Sequence, residues 1–107
     1  MNKLYYGQEV NSDDNIAIEW ARIPHFYNAF YVYKYATGFS SAISIVKSIL
    51  DEGQPAVKRY KEFLKSGGSD YPLNLLKIAG VDLESGKPVD DCMKEFRRAL
   101  DEFISLF

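Results

Sequence analysis

The chain has 107 residues, 47% of them hydrophobic and 26% charged, which is one domain's worth of ordinary globular composition and excludes a fibre or a disordered tail. Thirteen Lys and Arg against fifteen Asp and Glu give a net charge of −2, and no basic run offers a path for a phosphate backbone, so nucleic acid is not expected as a partner. One Cys and one His fall short of the three or four ligands of a zinc site, and the glycine-framed motifs of serine hydrolases and nucleotide-binding proteins are absent, so no cofactor is expected in this chain.

Alternating strand patterns flanked by hairpin turns are lacking, whereas helix punctuation recurs, and the expected fold class is all-α: about five helices in a single helical domain over residues 1–107. Residues 1–10 carry no charged start followed by an apolar stretch, so no signal peptide is expected and a cytoplasmic place is. Asp13 or Asp14 can cap a helix to about Arg22, which Ile23-Pro24 ends because the residue before proline is pushed out of the α region. Pro24 then opens the expected central helix, long and apolar all round, running to about Asp51 and closing at Gly53. Inside it, Gly38 points to a kink, a close helix crossing or a break.

A third helix is expected from about Pro55 to Lys65, with Val57, Tyr60, Phe63 and Leu64 inward and Gly67-Gly68 as its stop. Ser69 or Asp70 caps a short helix from Tyr71 to Ala79, with Gly80-Val81 as terminator. The last helix runs from about Pro88 to Leu106, with Val89, Cys92, Met93, Phe96, Leu100, Phe103 and Phe107 on its apolar side. Its other side carries the four-apart pairs Asp90/Lys94, Arg97/Asp101 and Arg98/Glu102 and is expected to face water. Cys92, the only cysteine, has no His beside it in sequence and is expected as a small core residue.

The informative stretch lies at the start of the central helix, where six of the ten residues from Phe26 to Tyr35 are aromatic. Between Ile23 and Val46 the only fixed charge is Lys34, and a helix with no wet face belongs inside a larger body or a membrane. Asn28, Lys34 and three serines interrupt any 18-residue apolar run, so a membrane is not expected; a larger body or a second copy of the chain is. A tyrosine wall packs its rings while offering phenol donors to a carbonyl or phosphate oxygen, although the same residues serve equally in a core. His25 at a helix start has the same two uses.

The segment Glu19-Trp-Ala-Arg-Ile-Pro-His-Phe-Tyr-Asn-Ala-Phe-Tyr-Val-Tyr-Lys-Tyr-Ala-Thr-Gly38 resembles the C-terminal signature of the oligoendopeptidase F family of zinc metallopeptidases. Tyr60-Lys-Glu-Phe-Leu-Lys-Ser-Gly-Gly-Ser-Asp-Tyr-Pro72 and Leu76-Lys-Ile-Ala-Gly-Val-Asp82 resemble the family's closing segments, so nearly the whole chain is covered. The resemblance implies a C-terminal, catalytic-lobe fragment of a large helical peptidase that cleaves short peptides. The zinc-binding H-E-x-x-H and the third, glutamate ligand lie upstream of the matching region in that family and are absent here, so zinc belongs to the parent enzyme and the chain alone is expected to be inactive.

By the same resemblance, His25 and Tyr33 hold the oxygen that becomes negative as water adds to the peptide carbonyl, and Tyr27 and Tyr31 bind substrate. Tyr35 is left to the core, and Arg22 is expected to pair internally with Glu19. The competing expectation is a stand-alone helical protein derived from such an enzyme, in which the aromatic helix mediates interaction or self-association.

Overall fold

The computed structural model describes residues 2–107, and those residues form helices and turns without a strand. Five α-helices are α1 (Asn2–Tyr6), α2 (Tyr33–Glu52), α3 (Gln54–Ser66), α4 (Pro72–Ile78) and α5 (Lys87–Ile104). Two 3-10 segments, Asp14–Arg22 and Pro24–Tyr27, lie between α1 and α2. The all-α expectation therefore holds. The contacts divide the chain into two units, residues 1–34 and residues 35–107.

In the first unit Asp13 acts as an N-cap, its carboxylate accepting from the Asn15 amide at 2.8 Å, and the 3-10 segment ends at Ile23, whose φ of −92° and ψ of 106° are extended. Pro24 then starts a single short turn and not a long helix. This corrects the expected central helix: residues 28–32 are turns, and α2 begins only at Tyr33. The physical reason lies at Phe30, whose φ of 59° is left-handed and breaks the α-helical succession. The amides of Asn28, Tyr31 and Lys34 bond three residues back, to His25, Asn28 and Tyr31, which is the tighter 3-10 pattern.

Nor is α2 apolar all round and buried, because Phe39, Val46 and Leu50 are exposed and the buried positions are Ser40 and Ser41. A Cβ on Gly38 would meet nothing within 4 Å, so no close crossing occurs there, and the helix continues through it. Tyr35, expected in the core, is also exposed.

The second unit is better organised. Gly53, with a φ of 70°, lets the chain leave α2 and enter α3, which has Pro55 in its first turn. Asp70 holds the start of α4 by accepting from the Tyr71 amide and the Asn74 side chain, and these bonds keep its carboxyl below the usual carboxylate range. At the other end of α4 the Gly80 amide bonds the Lys77 carbonyl and the Val81 amide bonds the Leu76 carbonyl, both at 3.0 Å, a Schellman closure that needs the left-handed Gly80 at φ 86°. Arg59 of α3 bonds the Glu52 carboxylate at 2.8 Å, and its guanidinium lies 3.7 Å from where a Gly80 Cβ would stand, so one side chain from the middle of α3 reaches the C-terminal ends of α2 and α4.

The core is small. Ala56, Leu75, Ala79, Val81 and Cys92 are its buried apolar residues among those described, which bears out Cys92 as a core residue, but Leu64 is 57% exposed and not inward. Pro88 and Cys92 attach the first half of α5, whereas every residue from 96 to 107 is exposed. Apart from Cys92, the expected inward stripe of α5 is thus on the surface. Its charged side forms pairs at helical spacing: Arg98 to Glu102 at 2.9 Å and to Glu95 at 2.6 Å, with Lys94 turning to Asp91 in place of Asp90.

Candidate functional site

All four residues assigned to a site lie in the first unit, on the segment from the second 3-10 turn to the start of α2. Pro24 sets the turn, His25 and Tyr27 project from it, and the Phe30 reversal returns the chain so that Tyr31 meets His25. Their rings stack with centroids 5.5 Å apart and planes 10° from parallel. The Lys34 ammonium stands 5.6 Å from the Tyr31 centroid, within reach of a cation–π contact. His25, Tyr31 and Lys34 thus form an aromatic and cationic cluster, held by a backbone conformation that costs about 1–2 kcal/mol in a non-glycine residue.

Tyr27 is placed differently from the other three. Its phenol donates to the Ala21 carbonyl at 2.5 Å, so the hydroxyl ties the two 3-10 segments together and its proton is already committed. Tyr33, the first residue of α2, is 57% exposed, and among the described residues no hydrogen bond or ring contact joins it to His25. The structure therefore brings His25 and Tyr31 together, leaves the Tyr33 phenol available, and uses Tyr27 internally. The contact that sequence reasoning missed is Lys34, which was noted only as a lone charge; its spacing of three from Tyr31 is the signal that could have found it. Arg22 does pair with Glu19, at 2.5 Å.

A polar cleft lies in the second unit, lined by Ser44, Lys47, Asp51, Asp82, Lys87 and Asp91. Lys87 bonds Asp91 there and holds its carboxyl below the ordinary range. Among the described residues no three His, Cys, Asp or Glu side chains gather as a metal set, and the one His and one Cys fall in different units. The donors present do not fit a zinc ion.

A cluster of this kind, on a chain with little core of its own, fits a part of something larger. The sequence profile of peptidase family M3 matches residues 1–95. The chain belongs to peptidase family M3. It is 50% identical over 106 residues to an oligopeptidase of Bacillus subtilis, PepF, and 44% identical over 105 residues to an oligoendopeptidase F homolog of Borreliella burgdorferi. It covers 16% and 18% of those relatives, which are family M3 proteins several times its length. The crystal structure of a Chlamydophila abortus protein, 42% identical, matches 98% of this chain and 18% of its own with a TM-score of 0.79. The resemblance noted in the aromatic segment is thereby shown for the family M3 chain as a whole.

Proposed function

We propose that this chain is the C-terminal helical part of an oligopeptide-cleaving zinc metalloendopeptidase, a cytoplasmic enzyme acting on short peptides, and that it is inactive alone. The observation that carries this reading is 50% identity sustained over 99% of the chain against only 16% of an oligopeptidase. The zinc would be bound outside these residues, whose donor set does not fit it. The chain's own contribution is to the oxygen of the scissile carbonyl, which gains negative charge as water adds. The His25 imidazole N–H and the Tyr33 phenol would donate to that oxygen, bonds that strengthen in the transition state. Tyr31, stacked on His25, orients the imidazole and offers its ring to the peptide, and Tyr27 contributes through its ring, since its hydroxyl is engaged.

The test uses the Bacillus subtilis oligopeptidase with this chain in place of its matching 106 residues. Tyr33→Phe removes one hydroxyl and keeps the ring. It is expected to lower kcat by about 10²–10³, or about 2.7–4 kcal/mol, with little change in KM, while Tyr35→Phe stays near wild type. A kcat within about threefold for both variants overturns the assignment of Tyr33.

A second reading, self-association of the isolated chain, is favoured by its surface. Large apolar side chains stand exposed in each unit, among them Phe30 at 83% in the first and Phe96 at 61% in the second. Contiguous apolar surface of this kind marks an interaction face in soluble proteins.

A further inference from the structure

Helix α5 carries a narrow apolar stripe that nothing in its own unit covers. Val89, Met93, Phe96, Leu100 and Phe103 follow each other at alternating spacings of four and three, and they are 42 to 61% exposed. That spacing places them along one seam, the geometry by which a helix packs lengthwise against another helix. Other positions on the helix have partners. Pro88 and Cys92 are buried, and Arg98 is held between Glu95 and Glu102.

We propose that this stripe is a docking face for the remaining part of a family M3 peptidase, whether that part is on the same polypeptide or supplied separately. The occupant follows from the comparisons. The Chlamydophila abortus structure reproduces 98% of this fold within 18% of its chain, so four-fifths of that molecule is available to cover what is bare here. The family profile ends at residue 95, whereas the similarity to the oligopeptidases runs over 98–99% of the chain. The outer half of the stripe, from Phe96 onward, therefore lies beyond the shared family profile and within the part common to the oligoendopeptidase relatives. The partner surface it fits is apolar and helical, with room for two aromatic rings, and the charged side of α5 stays in water. This rests on the reading that the chain works as part of a longer peptidase.

The experiment compares the isolated chain with the same chain built into the Bacillus subtilis oligopeptidase, both carrying Met93→Cys in a Cys92→Ser background. Alkylation is followed at residue 93 by peptide-resolved mass spectrometry, and peptide hydrolysis is measured in parallel. The thiol is expected to react freely in the isolated chain at low micromolar concentration and about a hundredfold more slowly in the full-length protein. Leu100→Asp should restore fast alkylation in the full-length protein, whereas Arg97→Ser on the charged side should not. Equal alkylation rates in the two settings overturn the docking face, and an active full-length enzyme with that result leaves the functional reading standing. Protection together with lost hydrolysis supports the docking face and counts against the functional reading. Slow alkylation already in the isolated chain assigns the stripe to a second copy and overturns the proposal.

Discussion

At Phe30 the main chain takes a conformation that side chains avoid, and the residue gets no burial in return, being 83% exposed. What the reversal supplies is the His25–Tyr31 stack. Because His25 is the only histidine, its imidazole protons give single resonances, and a ring stacked 5.5 Å away shifts them upfield. Phe30→Gly accepts the left-handed φ and is expected to keep that shift, while Phe30→Val, β-branched and strained by about 1–2 kcal/mol there, is expected to lose it, as is Tyr31→Leu. Proton NMR of the three variants checks this; a shift that survives Phe30→Val shows that the reversal does not hold the stack. The sequence made the His25 and Tyr31 identities legible, through the aromatic density and the family resemblance. It could not make their contact legible, because a left-handed phenylalanine has no composition signal.

Among the elements, those with chemical punctuation were readable and the one without it was not. Asp13, Pro55, Asp70 and the Gly80-Val81 pair each mark a helix end by a bond or a φ preference of their own, and the corresponding boundaries fall within two residues of expectation. The run from Phe26 to Val32 has helical composition and no stop signal, so periodicity extended the helix where the backbone turns away.

The punctuation is also where substitutions should tell. Gly80→Ala must adopt a φ of 86° beside Arg59 and is expected to destabilise the second unit by about 1–2 kcal/mol, read as a lower urea midpoint, whereas Gly38→Ala, with open space around it, should gain about 1 kcal/mol. Acid acts on the same elements. Asp70, Asp91 and Glu95 are all held below their ordinary values, first by hydrogen bonds from Tyr71, Lys87 and Arg98 respectively, so the folded chain binds protons less readily than the unfolded one. Their stabilisation is complete above the ordinary carboxylate range and is lost as pH falls through the lowered values. Circular dichroism should therefore show helicity flat near neutrality and declining below about pH 4, with Asp91→Asn shrinking the decline. An unchanged acid profile in that variant removes Asp91 from the account.

For the whole molecule the exposed apolar side chains decide behaviour. Large apolar side chains are exposed in both units, Phe30 and Phe96 among them, and the isolated chain is expected to sediment as a dimer or larger at tens of micromolar. A clean 12.2 kDa species would count against self-association. This is also the scale at which sequence reading misjudged the interior: the apolar pattern of α5 was real, but periodicity does not say which way the stripe faces, and most of it lies on the surface. The sole thiol, Cys92, is buried in the second unit with only 8% of the residue exposed. Cys92 is thus a built-in clock: the rate at which a small thiol reagent consumes it in the unaltered chain measures how often the second unit opens, and a partner that steadies the helices will slow that clock without touching the sulfur.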